Sequence, residues 1–342
     1  MITAFVIAGV VAFAVAAGVA WLVARNASRL RLLDVPNERS SHQSANPRGG
    51  GIGIMAGVAA GFLVLVASGI RPDKNLVVLL AGTASVAVLG AIDDLSSIRA
   101  RYRIAVQLVV GIAVVIWIGG VPRLPLPPPL DVSVGWLGIP LAVVWLVGVT
   151  NFYNFMDGID GLATGQAVAS CSGVVLAVWA AGAVELAFVL AAAAIGFLLL
   201  NSPPARIFLG DVGSTSLGFA IAGLPLLAPP DARPMALFAV AVGLSLFLLD
   251  PLETLVRLVR AGHRIGRAHR AHSYQALALS RDHHRTVTAG LVLAGLALSI
   301  GGALAYHWQW LAWPVLIVAL GAFALERFLA GRARGAEGLG WS

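Results

Sequence analysis

Residues 2–24 read ITAFVIAGVVAFAVAAGVAWLVA, 23 residues without one charged side chain. A helix of about 20 such residues is long enough to cross the hydrocarbon core of a bilayer. The stretch is expected to be a retained membrane helix rather than a cleaved leader, because no basic residue precedes it and the first positive charge, Arg25, follows it. Comparable apolar runs recur at about 50–69, 75–92, 104–120, 136–150, 162–181, 184–201, 213–229, 235–255, 286–305 and 309–328, giving eleven in all. The chain of 342 residues is 59% hydrophobic and only 11% charged, against about 25% charged in an ordinary soluble domain. The sequence therefore predicts an all-α integral membrane protein of about eleven transmembrane helices. No internal repeat or dividing linker is visible, so residues 1–342 are expected to form a single polytopic domain.

Charge predicts an orientation. If the loop after the first helix is inside and the sides alternate, 19 of the 23 lysines and arginines fall inside. The outside set is Arg71, Lys74, Arg123 and Arg233. The N-terminus is thus expected outside and the C-terminus in the cytoplasm. Trp308, Trp310 and Trp313 then belong to an aromatic belt at the outer interface. The net charge of +7 reads as this orientation signal and not as a nucleic-acid footprint. Cys171 is the only cysteine, which excludes a disulfide framework and a cysteine-based metal site.

The same alternation places every unusual polar cluster on one face. The longest outer loop, VPRLPLPPPLDVSVGWLG (121–138), is proline-rich and reads as an extended cap. The first inner loop, DVPNERSSHQSANPRGGGIGI (34–54), ends in Gly49, Gly50 and Gly51, either an anion-binding helix start or a solvated basic loop. The second, GAIDDLSSIRARYRIAVQ (90–107), closes a helix with adjacent acids, Asp93 and Asp94, which repel unless a cation or proton offsets them. The third, NFYNFMDGIDGLA (151–163), carries Asp157 and Asp160 at a spacing that on a helix would put both, with Asn154, on one face. In NSPPARIFLGDVGSTSLGF (201–219), Asp211 lies between glycines as a helix cap or a ligand, and Phe208 offers a ring that could stack on a base. The fifth, RLVRAGHRIGRAHRAHSYQALALSRDHHR (257–285), holds seven arginines and five histidines, suited to phosphate, metal or anionic lipid. His283 and His284 are expected at the interface.

Acids at a membrane surface are costly and tend to be functional. Five carboxylates converging with arginines and histidines make a set suited to Mg²⁺ and a phosphorylated ligand. The residues alone thus point to phosphoryl transfer at the cytoplasmic surface.

The ordered motifs DVPNERSSH…PRGGG, AIDDLSS, NFMDGIDGLA, FLGDVGS and the histidine loop resemble the polyprenyl-phosphate N-acetylhexosamine-1-phosphate transferase superfamily over nearly the whole chain. That superfamily includes the WecA- and WbpL-like sugar-phosphate transferases and the phospho-N-acetylmuramoyl-pentapeptide transferases. The resemblance implies transfer of an N-acetylhexosamine-1-phosphate from a UDP-sugar to undecaprenyl phosphate, with UMP leaving. It implies Mg²⁺, for which Mn²⁺ can substitute, a multi-pass protein of the bacterial inner membrane, and a place in O-antigen or other envelope-glycan synthesis. Related enzymes point to a homodimer.

By position, the resemblance makes Asp211 a metal ligand, shared with Asp94, and makes Asp93 and Asp94 the catalytic pair that readies the lipid phosphate. It places Asn154, Asp157, Asp160, Asn201 and Phe208 on the nucleotide-sugar and Arg103 on phosphate. Many relatives carry H-x-H-H where this chain has AHRAHSYQ (268–275), a variant more like the WbpL type. His272 and then His269 are the catalytic candidates there, with Arg267 and Arg270 on the pyrophosphate. In the first loop, relatives often have lysine where this chain has serine or glutamine, which leaves Arg39, His42 and Arg48 as the basic candidates. Two alternatives stand beside this reading: the muramoyl-pentapeptide branch, and a transporter or flippase of phosphorylated solutes. Acids gathered on one face disfavour the second, since alternating access places its site near the midplane.

Overall fold

A computed structural model of the chain describes residues 1–34, 46–262, 272–279 and 284–337. Helices dominate: α1 Ile2–Leu30, α2 Gly51–Ala67, α3 Lys74–Ser96, α4 Ala100–Ile118, α5 Gly138–Phe155, α6 Leu162–Ala177 and α7 Ala181–Asn201. They continue with α8 Gly210–Gly223, α9 Arg233–Gly243, α10 Ser245–Arg260, α11 Ser273–Leu279, α12 His284–His307 and α13 Ala312–Glu337. A short antiparallel pair, β1 Leu33–Asp34 with β2 Asn46–Pro47, closes the base of the first loop.

In lipid, apolar burial gives little reason for helices to associate, so small residues that admit close backbone contact take over. α1 buries Ala8, Ala12, Ala16 and Ala20, spaced by four. α2 answers with Gly53, Gly57 and Gly61 at the same spacing, and a Cβ on Gly57 would stand 2.5 Å from the Ala12 carbonyl oxygen. At the centre of the bundle α8 is buried along nearly its whole length. α3 crosses the start of α8 so closely that a Cβ on Gly90 would stand 2.4 Å from the Asp211 carbonyl oxygen. Backbone cannot yield as a flexible side chain does. Gly90→Ala is therefore expected to cost about 1–3 kcal/mol by overpacking, read as a lowered melting temperature in detergent, and to lower activity because Asp211 moves with α8.

The eleven expected spans map onto the described helices as follows. Seven of them are helices long and apolar enough to cross a membrane: α1, α3, α4, α5, α7, α12 and α13, the last two flanked by the exposed Trp308, Trp310 and Trp313. The second and sixth fall on the shorter helices α2 and α6. The expected span 213–229 falls on α8 and a 3-10 turn that carries it to Leu227, after which a bend of 118° leads into α9. The expected span 235–255 is two helices, α9 and α10, parted at Leu244. Hydropathy sums over a window and is blind to these breaks. Pro225, Pro229, Pro230 and Pro234 remove backbone donors in the first of them. Arg233 is buried, and its guanidinium donates to the carbonyls of Ile118 and Gly120 at 2.9 Å.

Candidate active site

The C-terminal ends of α3, α5 and α7 meet the N-terminal ends of α2, α4, α6, α8 and α12 at one end of the bundle. Asp94, buried at the end of α3, turns its carboxylate onto the start of α8. Its Oδ1 accepts from the Asp211 amide at 3.0 Å and its Oδ2 from the Val212 amide at 3.1 Å. Those amides lack partners within their own helix, and the dipole there favours an anion. An acid that is unfavourable at the end of its own helix is thus matched by the beginning of another. Arg48, held beside β2 by its amide on the Leu32 carbonyl (2.9 Å), places Nε 3.8 Å from Asp94 Oδ1 and donates to the Asp94 carbonyl.

Asp93 points elsewhere. Its Oδ1 accepts from the Ile98 amide, and its Oδ2 is paired with Arg103 from the first turn of α4. The same Arg103 nitrogen reaches Asp211 Oδ2 at 3.1 Å. The other oxygen of Asp211 accepts from Asn154 Nδ2 at 2.6 Å, and Asn154 also donates to Ser214 Oγ at 2.8 Å. Three sequence motifs, the outer two more than a hundred residues apart, therefore close on Asp211. One turn inward from Arg103, the buried Gln107 accepts from Asn151 at 2.7 Å, so α4 and α5 are tied just beneath the site.

Asp157 and Asp160 do not share a helix face as their spacing predicts. α5 stops at Phe155 and α6 begins at Leu162, with Gly161 at φ +73°, a conformation open to glycine. The two acids part company in the turn. Asp160 Oδ2 accepts from the Ala205 amide at 2.9 Å and holds the 202–209 loop in place. Asp157 accepts no hydrogen bond among the described residues. Burial first, and then the charges of Asp211, Asp94 and Asp160, push its carboxyl up to about 8.

Asn201 is buried, accepting from Thr164 at 2.8 Å and donating to the Ile207 carbonyl at 3.0 Å, so its amide shapes the loop from within. The Gly50 and Gly51 amides donate to the Phe208 and Leu209 carbonyls at 2.9 Å and are spent on the fold rather than left for an anion. The half-buried Phe208 lies on that same loop, its amide on the Pro47 carbonyl at 2.8 Å. His42, Arg39, Arg267, His269, Arg270 and His283 lie outside the described residues.

His272 stands just before α11, its ring centroid 6.3 Å from Phe155 and 5.8 Å from Tyr274. What places it is a residue passed over in the sequence. Asp250, fully buried in α10, accepts from the Ser273 amide at 3.0 Å with each oxygen, and its Oδ1 is 3.8 Å from His272 Nδ1. The signal was there to read: an acid followed by Pro251 inside an apolar run, in a solvent where a lone acid is costly. Tyr274 then donates to the Phe155 carbonyl at 2.9 Å, which sets the histidine segment against the turn that carries Asp157.

Fold and site together define a multi-pass α-helical membrane protein with a carboxylate and guanidinium cluster at one end of its bundle. The glycosyl transferase family 4 model matches residues 76–228. A probable undecaprenyl-phosphate N-acetylglucosaminyl 1-phosphate transferase of Bacillus subtilis is 32% identical over 82% of this chain and 78% of its own length. An undecaprenyl-phosphate alpha-N-acetylglucosaminyl 1-phosphate transferase of Escherichia coli is 28% identical over 90% of this chain and 86% of its own length. A phospho-N-acetylmuramoyl-pentapeptide-transferase of Halalkalibacterium halodurans is 30% identical over 75% of this chain and 85% of its own length. The chain belongs to glycosyl transferase family 4.

Proposed function

We propose that this protein transfers N-acetylhexosamine-1-phosphate from a UDP-sugar to undecaprenyl phosphate, releasing UMP, at the cytoplasmic face of a bacterial inner membrane. The observation that carries the reading is Asp211, held between Asn154 and Arg103 and near enough to Asp157 for its charge to raise that carboxyl. Around it four carboxylates, Asp93, Asp94, Asp157 and Asp211, stand against two guanidiniums, Arg48 and Arg103, so that once a bound cation displaced the proton held by the raised Asp157 carboxyl, two negative charges would be left over. The donors are oxygens and the surplus equals the charge of Mg²⁺, so the residues fit that ion. Among the described residues no three His, Cys, Asp or Glu side chains form a metal cage. Mg²⁺ keeps waters and shares its coordination between one or two carboxylates and substrate phosphates. Asp211 and Asp157 are the residues to hold it. Asp94, with both oxygens on backbone amides, serves by fixing α8. Mg²⁺ would neutralise charge on the diphosphate as the bond to UMP breaks.

In the reaction an oxygen of the lipid phosphate attacks the β-phosphorus of the UDP-sugar. The bond from that phosphorus to the oxygen bridging to the α-phosphate breaks, and UMP carries the electron pair away. A phosphate monoester with a second pKa of about 6 is ionised at neutral pH, so Asp93 has no need to act as a strong base. It holds Arg103 where the guanidinium can meet phosphate oxygens, and catalysis rests on positioning and charge. His272 approaches from the α10 side to contact the diphosphate. Asp160 and Asn201 act through the 202–209 loop, which presents Phe208 to the nucleotide.

The muramoyl-pentapeptide reaction is the same chemistry on a larger donor. It is less favoured, because the Escherichia coli relative aligns over 90% of this chain and the muramoyl-pentapeptide-transferase over 75%. The expected result is UMP release by the purified protein given UDP-N-acetylglucosamine or another UDP-N-acetylhexosamine with undecaprenyl phosphate, abolished by a chelator and restored by Mg²⁺. Consumption of UDP-N-acetylmuramoyl-pentapeptide alone would reassign the branch. No UMP from either donor would sink the transferase reading and leave the transporter class.

A further inference from the structure

We propose that Arg327 on α13, near the end of the chain, is a positioning residue for His272: it grips the segment that carries the imidazole and sets its distance from the diphosphate. The inference deepens the transferase reading and rests on it for the catalytic consequence. Arg327 places one guanidinium nitrogen 3.1 Å from Glu253 Oε1 of α10 and donates with the other to Ser273 Oγ of α11 at 3.1 Å. Ser273 is fully buried and immediately follows His272. Its amide is held by Asp250 and its hydroxyl by Arg327, so the residue beside the histidine is fixed from two helices at once.

The grip is transmitted toward the reacting groups. Tyr274, the next residue, donates to the Phe155 carbonyl, and its hydroxyl oxygen would stand 2.1 Å from a Cβ on Gly158, next to Asp157. A contiguous path therefore runs from α13 through Ser273 and Tyr274 to the turn that faces Asp211. A fork is needed at its origin: one planar guanidinium spans a carboxylate and a hydroxyl on two different helices, which a point-charge ammonium serves less well. Glu326, beside Arg327 and buried in the same helix, has no hydrogen bond to either oxygen among the described residues, so α13 brings two costly groups to this junction. Neither they nor His272 and Asp250 fall within residues 76–228, the part matched by the family model.

The test uses the full-length protein with Arg327→Ala, Arg327→Lys and Ser273→Ala, the last removing only the hydroxyl should the arginine variant fail to fold. Hydrogen exchange of the amides in 272–279 is expected to speed up about tenfold in Arg327→Ala, with the α3 and α8 amides unchanged. In UMP release, kcat is expected to fall about tenfold while KM for the UDP-sugar moves little, and Arg327→Lys should recover part of the loss. In a His272→Ala background the same substitution should cost nothing further, because residues acting through one group are not additive. An equal loss in that background, or unchanged exchange at 272–279, overturns the proposal. If the unaltered protein releases no UMP, the transferase reading falls by itself, and the exchange experiment still decides whether Arg327 holds the segment.

Discussion

Asp211→Asn is expected to leave the protein folded in the membrane and to lower UMP release by about 10³-fold, the scale of losing one strong electrostatic contact to the transition state. The substitution is nearly isosteric. The amide oxygen can still accept from Asn154, and the α8 amides keep their bonds to Asp94, so the helix start stays in place. What goes is the negative charge that faces Arg103 and Asp157. Without it the site loses its strongest reason to concentrate a divalent cation, and Arg103 is left to Asp93 alone. Turnover and thermal unfolding in detergent read the two halves of the expectation separately. Activity within a few-fold of the parent at saturating Mg²⁺ would show that Asp211 is not the cation ligand, and a collapsed melting temperature would show that its charge was structural.

The second large effect separates two neighbours that look interchangeable in the sequence. Asp94→Ala removes the acceptor of two buried amides, each costing about 1–3 kcal/mol when left unsatisfied. It is expected to lower the melting temperature sharply and to abolish activity with it. Asp93→Asn should do the opposite. The amide oxygen keeps the Ile98 contact, and Arg103 keeps Asp211, so the fold survives while turnover drops about 10²-fold as Arg103 loses its second anchor. Equal melting shifts for the two variants would mean that the division of labour between helix cap and arginine holder is wrong. The division follows from geometry. Successive residues on a helix point about 100° apart, so adjacent acids face different neighbours, here the start of α8 and the side chain of Arg103.

The membrane architecture was legible because it depends on composition over long windows. Residues 2–24 and six of the other predicted spans became helices of membrane-crossing length, and small residues at spacings of four marked where α1 and α2 meet. The break between α8 and α9, and the split of 235–255 at Leu244, were not legible, since hydropathy is a sum and does not register where a chain turns. Much of the acid cluster was legible for another reason. Charge is expensive next to lipid, so each of Asp93, Asp94, Asp157, Asp160 and Asp211 stood out against an apolar background.

What the sequence by itself determined is thus a helical membrane protein whose motifs set acids, arginines and histidines against an apolar background. Which acid does what was settled only by tertiary contact. Asp94 caps α8, Asp93 holds Arg103, Asp160 pins the 202–209 loop, and Asp157, without a hydrogen bond among the described residues, feels the charge of Asp211. Asp250 and Arg327, silent in the motifs, turn out to hold Ser273, the residue next to His272. A residue's type sets what it can bind. What it does bind depends on which donor reaches it first, and that donor comes from another helix, often more than a hundred residues away.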